Sequence, residues 1–423
     1  MMTSNQKLKE AYVWIWLPEK TVPVVAGKLS LRDQQYSFNY GKSYLERDNA
    51  IALYDRELPL QRGVLDPEFG LIMPNCIRDA SPDAWGRRVI LNRHYGRKST
   101  QLDTTELNEL NYLLESGSDR IGALDFQSSG TEYIPRCSVN VSLDELLESA
   151  ARVEQGVPLT IELDQALFHR SSIGGARPKA FIEYHQKKYI AKFSASSDLY
   201  SLLKLEFIAM RLACLVGLDV ASVRLVQAAH KDVLLIERFD RISKNTGWQR
   251  RVILSALTLL GLDEMMARYA SYEKLAEIIR HRFEKPSEAL KELYSRLVFN
   301  ILISNTDDHA RNHAAFWNGE RLSLTPAYDV CPQNRTGFTA SQAMIITGQD
   351  RRSQLASCLL GAHHFLLSEE EARLIIEHQV DGIKIHWDEV CLLAKLSEVE
   401  KNFFWGRQFL NPYVFLDFSK GVS

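Results

Sequence analysis

Over the first sixty positions apolar residues alternate with polar ones. AYVWIWL (11–17), TVPVV (21–25), GKLSL (27–31), QYSFNY (35–40) and IALYD (51–55) each read as a short strand, with Gly, Asp and Asn turns between them. A small, mostly antiparallel sheet is expected. The period then lengthens. Ser81-Pro82-Asp83 sets a capping residue and a first-turn proline ahead of Trp85, Val89, Ile90 and Leu91, which predicts a capped structural helix. A second helical stretch covers TELNELNYLLES (105–116), and the turn-rich GSDRIGALDF (117–126) follows it. The polar run 127–135 reads as a connection, so a soft domain boundary is placed near residues 130–155.

From Ile161 the pattern is more regular. AFIEY (180–184) and KKYIAKF (187–193) form two strands joined by a short hairpin at His185-Gln186-Lys187. LYSLLKLEFIAMRLACLVG (199–217) is apolar nearly all round, which predicts a buried helix ending at Gly217. The strands SVRLVQA (222–228) and DVLLIERF (232–239) follow, then a long helical region over roughly 250–304. Its last piece, ALKELYSRLVFNILISN (289–305), has the apolar face of a core helix, and Ser368 with Glu371 forms a capping box for a further helix. The C-terminal third is therefore mostly helical.

Composition changes this picture little but excludes several classes. With 45% hydrophobic and 25% charged residues over 423 positions, the chain has material for two or three cores and is neither disordered nor fibrous. Charges interrupt every apolar run before bilayer length, and no apolar signal core follows the N-terminal basic residues, so a soluble, cytoplasmic protein with no membrane role is expected. The balance of 51 basic against 53 acidic residues gives −2, which offers nucleic acid no general attraction. Six scattered cysteines without a CxxC pair read as buried thiols in a reducing compartment.

Candidate chemistry concentrates in ISNTDDHARNHAAFWNGERLSLTPAYDV (303–330). Asp307 leaves the end of a core helix, Asn312 follows five residues later, a hairpin turns at Asn318-Gly319, and Asp329 lies beyond it. Phosphoryl transfer needs such a set: one carboxylate to accept or orient the proton of the attacking hydroxyl, and an amide oxygen with a second carboxylate to hold Mg²⁺ against phosphates. Asp307 is the candidate catalytic base, and Asn312 and Asp329 are the candidate metal ligands. Upstream, Lys192 in YIAKF is placed to meet the α and β phosphates of ATP, with Glu206 on the next helix to fix its stem. Read alone, Lys192 could equally be a snorkelling lysine and Glu206 a solvated residue. HRSSIGGARPKAF (169–181) reads as a phosphate-facing loop with tandem serines at its mouth. LLIERFDR (234–241) either lines an adenine pocket or forms a strand-end salt-bridge cluster, and the residues leave both readings open.

The ordered set SIGGARPK, YIAKF, ERFDR, NTDDHARN and LTPAYDV resembles the HipA family of bacterial serine/threonine protein kinases, the toxins of toxin-antitoxin pairs. SPDAWGRR and DRIGALDF resemble that family's N-terminal subdomain, so the likeness runs through nearly the whole chain. It implies an α+β, two-lobed, protein-kinase-like fold: a β-rich N-terminal subdomain over 1–150, a nucleotide-binding core with the glycine loop over 151–240, and a helical lobe with the catalytic loop over 241–423. It implies ATP and Mg²⁺ as cofactors, with Ser172, Gly174, Gly175, Ala176, Lys179, Lys192, Glu206, Glu237, Phe239, Asp240 and His309 at the nucleotide. It also implies autophosphorylation at Ser172, a role that Ser171 could share. The implied partners are a host protein substrate of the translation machinery and a small helix-turn-helix antitoxin, with DNA reached only through the antitoxin. The loop departs from the family's usual alanine-glycine and Gln-x-Lys by carrying Gly174-Gly175 and Arg177-Pro178-Lys179.

Three rival readings stand beside this one. His309 and His313, four apart, suggest a metallohydrolase, but HARNH lacks the glutamate of HExxH and leaves Lys192 and Asp329 unemployed. A small-molecule phosphotransferase would share the Asp-x4-Asn core and the second aspartate. A catalytically silent partner that sequesters a DNA-binding protein would have no need of a complete set of competent catalytic residues.

Overall fold

The computed structural model describes every residue except 1–7, 69, 97–102, 137–141, 161–162, 164–166, 168–176, 195–201, 336 and 419–423. By its packing the chain divides into two compact units. Met1–Tyr200, Val226–Leu254 and Trp317–Gly319 make the first, and Ser201–Leu225, Ser255–Phe316 and Glu320–Ser423 make the second.

The first unit opens with a four-stranded sheet in the order Gln35–Tyr40, Val24–Arg32, Glu10–Ile15, Leu124–Gln127, with antiparallel neighbours. The two segments expected around Gly27 are one continuous strand there. A Cβ at Gly27 would stand 2.2 Å from the Asn39 carbonyl oxygen, so only glycine lets the neighbouring strand approach this closely. Ile51–Asp55, expected as a strand, joins no ladder. Tyrosine hydroxyls serve its backbone instead: Tyr40 Oη accepts from Leu53 N–H and Tyr44 Oη donates to the Ile51 carbonyl.

A second sheet in this unit pairs Lys179–Tyr184, Lys187–Phe193 and Lys231–Glu237 antiparallel. Its hairpin turns on His185 and Gln186, both at positive φ as a two-residue turn requires. Trp85, Val89 and Ile90 from helix Ala84–Tyr95 and Leu146 and Val153 from helix Leu143–Glu154 share one buried cluster with Ala180, Tyr189, Ala191, Phe193 and Leu235. Trp85 also donates its indole N–H to the Lys179 carbonyl at 2.9 Å. Residues on both sides of 130–155 therefore contribute to a single core.

In the second unit, helix Leu202–Leu215 is buried along most of its length and ends before Gly217, whose φ of +88° is that of a helix-stopping glycine. It packs against Glu369–Leu393, and a Cβ at Gly382 would meet Val216 at 2.6 Å. The capping box at Ser368 and Glu371 forms as expected. The region 250–304 is less helical than the sequence pattern suggests. Gly247–Arg250 and the β-branched Val252–Ser255 are strands, a short helix at Ala256–Leu259 ends ahead of Gly261 at φ +67°, and the long helices are Tyr272–Arg282 and Pro286–Leu302. Of the described cysteines, Cys76, Cys358 and Cys391 are buried thiols, whereas Cys214 is exposed, so burial does not hold for all of them. Among the described residues no helix is long and apolar enough to cross a membrane.

Candidate functional site

Helix Pro286–Leu302 delivers the chain to Ser304, which turns at φ +55°, and the next residues form a tight loop. Asp307 is exposed at its surface, while Asn312 is buried at the end of the 3-10 turn Ala310–Asn312. The Asn312 amide nitrogen donates to the Asp307 carbonyl at 3.2 Å, which leaves its oxygen as the ligand-ready atom. The neighbouring strands Ala314–Trp317 and Leu322–Leu324 then lead the chain back to Asp329. Tyr328 fixes that return by donating its hydroxyl to the Arg311 carbonyl at 2.7 Å. Asp329 itself sits at φ +58°, a left-handed conformation that aspartate tolerates better than most residues and that commonly marks functional positions.

Electrostatics agrees with this proximity. The Asp307 carboxyl is held above the usual value by partial loss of hydration first, then by the negative charges of Asp329 and Asp308, against the opposing pull of His309. A second carboxylate near enough to act this way gives the loop a concentration of hard oxygen donors. The donor chemistry fits Mg²⁺, which is commonly held by one or two protein ligands plus phosphates rather than by a full protein cage. Among the described residues no group of three or more His, Cys, Asp or Glu is placed to hold a metal ion. His313 lies against Asp308 and Tyr272.

The first unit carries the lysines. Lys192 is directly opposite Lys179 in the ladder, so the two side chains leave the same face, and both are buried. Glu206, on its helix in the second unit, is also buried.

The ERFDR segment presents mainly its salt-bridge aspect. Arg238 N–H already donates to the Lys188 carbonyl, and Glu237 is paired with Lys187 at 2.8 Å. Asp240 accepts from Arg238 at 2.8 Å, Arg241 at 2.7 Å and Gly122 N–H at 2.8 Å. Both arginines also reach Asp119, each at 2.9 Å. Burial pushes the Asp240 carboxyl up, but Arg238 and Arg241 outweigh it and hold the group below the ordinary range. The Asp240 carboxylate, expected at the nucleotide, is thus engaged inside the protein. Phe239 is half-buried at the turn. Ser171, Ser172, Gly174, Gly175 and Ala176 lie outside the described residues.

Sequence reading gave no role to Asp308 and Tyr328, although they stand within NTDDHARN and LTPAYDV, and Tyr272 lies in none of the motifs.

Mixed α+β architecture, with a sheet bearing paired lysines in one unit and an Asp-x4-Asn loop followed by a left-handed aspartate in the other, defines a protein-kinase-like fold. Family models match this chain as a HipA-like C-terminal domain over residues 171–387 and a HipA N-terminal domain over 15–127. The chain belongs to the HipA-like family. It is 26% identical over 243 residues to the serine/threonine-protein kinase toxin HipA of Shewanella oneidensis, a match covering 51% of this chain and 54% of that relative. It is 23% identical over 327 residues to Y4mE of Sinorhizobium fredii, covering 71% and 72% of the two chains. The first match therefore spans about half the length of that relative. The solved complex of the Shewanella oneidensis MR-1 toxin-antitoxin system, with HipA, HipB and operator DNA, contains a chain of the same fold. That chain aligns with a TM-score of 0.68 at 19% identity over 96% of this chain and 97% of its own.

Proposed function

We propose that this protein is an ATP-dependent serine/threonine protein kinase of the HipA type. The observation that carries the reading is the loop from Asp307 to Asn312 with Asp329 close enough to raise the Asp307 carboxyl. In this reading Asp307 accepts the proton of a substrate serine or threonine hydroxyl as that oxygen attacks the γ-phosphoryl group. Asn312 and Asp329 would hold Mg²⁺, which would supply charge neutralisation on the phosphates when bound. Lys192, fixed by Glu206, and Lys179 bind and orient the nucleotide phosphates. His309 lies beside Asp307 and tunes its charge.

The phosphoacceptor is a host protein, and the chain pairs with a small helix-turn-helix antitoxin through which it reaches DNA. The solved complex of the relative with HipB and operator DNA supports this partner class. Purified chain with MgATP should transfer phosphate to protein in a lysate depleted of small molecules, and transfer nothing to a panel of sugars and aminoglycoside alcohols. Transfer to the alcohols alone would replace the protein-kinase reading with that of a small-molecule phosphotransferase.

A further inference from the structure

The two functional residues at the ends of the loop each have a neighbour that the proposed chemistry leaves unemployed. Asp308 follows Asp307, and His313 follows Asn312. Both neighbours are buried, each with 2% of its surface exposed. Asp308 Oδ1 lies 3.0 Å from His313 Nε2. Tyr272, wholly buried at the start of helix Tyr272–Arg282, donates its hydroxyl to Asp308 Oδ2. The same hydroxyl is 3.2 Å from His313 Nε2, and the two rings meet edge to face at 5.4 Å.

A buried carboxylate–imidazole pair seldom adds stability beyond what apolar packing of the same volume would give, so its value here is geometric. The pair closes the loop from 308 to 313 on its buried side, with Asp307 one residue before the first end and Asn312 one residue before the second. The clasp is itself anchored. Tyr272 N–H donates to the Ile345 carbonyl at 2.9 Å, Ala343 N–H donates to the Thr306 carbonyl at 3.1 Å, and the His313 carbonyl accepts from Ala256 N–H at 2.7 Å. Any slip in the 308–313 separation is passed directly to the spacing between the proton acceptor and the metal-holding amide.

We propose that Tyr272, Asp308 and His313 form a positioning clasp that fixes Asp307 relative to Asn312, and so sets turnover rather than nucleotide affinity. This rests on the kinase reading above. The three are positioning residues, since none of them touches the reacting groups. Loosening them should lower kcat by roughly 10–100-fold, the range seen when supporting partners of a site are removed. KM for MgATP should stay within about threefold, because the proposed contacts of Lys192, Lys179 and Asp329 with the nucleotide do not depend on the clasp.

The test compares His313→Leu with His313→Gln in the full chain, with Tyr272→Phe as a milder third variant. The Gln side-chain amide can stand where Nε2 stands and donate to Asp308, whereas Leu keeps bulk without a donor. The leucine variant should lose kcat at near-constant KM, and the glutamine variant should recover most of it. Equal kcat in the two, or a loss confined to KM, overturns the clasp. If His313→Leu does not fold, Tyr272→Phe decides, since it removes one hydroxyl and keeps the ring. A several-fold fall in kcat is expected there, and a wild-type kcat overturns the proposal. A wild-type chain that transfers no phosphate and gains no thermal stability from MgATP removes the kinase reading and the clasp together. Normal wild-type turnover with insensitive variants removes the clasp alone.

Discussion

Asp307, as the proposed proton acceptor, depends on its charge and not on its shape. Asp307→Asn keeps the volume and the hydrogen-bonding edge while removing the charge that takes up the hydroxyl proton, so it should leave the melting temperature and MgATP binding near wild type and cut transfer by roughly 10²–10⁴-fold. Single-turnover transfer beside a nucleotide-dependent melting shift checks both halves. Lys192, which is buried, has a different proposed role, as a point charge for phosphates. Lys192→Ala should raise KM for ATP and lower kcat, and combined with Glu206→Ala the losses should fall short of their sum if the two act as one pair. Full additivity would separate them. At this scale the sequence singled out Asp307, Asn312 and Asp329 by type and spacing, and the structure brings the three into one loop region. It was silent on Asp308 and Tyr272, which are 36 positions apart and meet only through the fold. It also left ERFDR open, where the structure shows Asp240 gripped by two guanidiniums and a backbone N–H from 118 residues away.

Among the elements, the loop Ser118–Gly122 and the segment Arg238–Arg241 behave as one piece, because their charges are buried together. Replacing Arg238 with Met would leave Asp240 and Asp119 each short of a buried partner and should cost roughly 3–5 kcal/mol of stability, read from urea unfolding. The pH dependence has a definite sign. The folded-state carboxyl of Asp240 lies below its ordinary value, so its stabilising contribution is complete above that ordinary range and is lost as pH falls through the depressed folded value. Acid unfolding monitored by circular dichroism should therefore begin at a higher pH in Arg238→Met than in the wild type. Elements whose signal is local were readable in advance, such as the helix behind Ser368 and the hairpin at His185-Gln186. Ile51–Asp55 and the region after 250 were not, since tyrosine hydroxyls and glycine stops replaced the partners that their periodicity suggested.

Across the whole molecule, the tandem serines of the glycine-rich loop carry the regulatory expectation. A phosphate on Ser172 would add nearly two negative charges where the phosphates of ATP must bind, so the modified chain should bind ATP at least about tenfold more weakly than the unmodified one. Mass spectrometry after incubation with ATP, followed by calorimetry on both forms, tests this; phosphate only outside residues 171 and 172, or equal affinities, would leave the loop as a plain phosphate clamp. In the proposed reaction phosphate passes from ATP directly to a protein hydroxyl whose proton Asp307 accepts, and one assay reaches this most directly: label transfer from γ-labelled ATP by the purified full chain and by Asp307→Asn, each with Mg²⁺ and with chelator. Protein labelling is expected only from the wild type with Mg²⁺. Labelling at the wild-type rate by Asp307→Asn, or undiminished labelling in chelator, would contradict it.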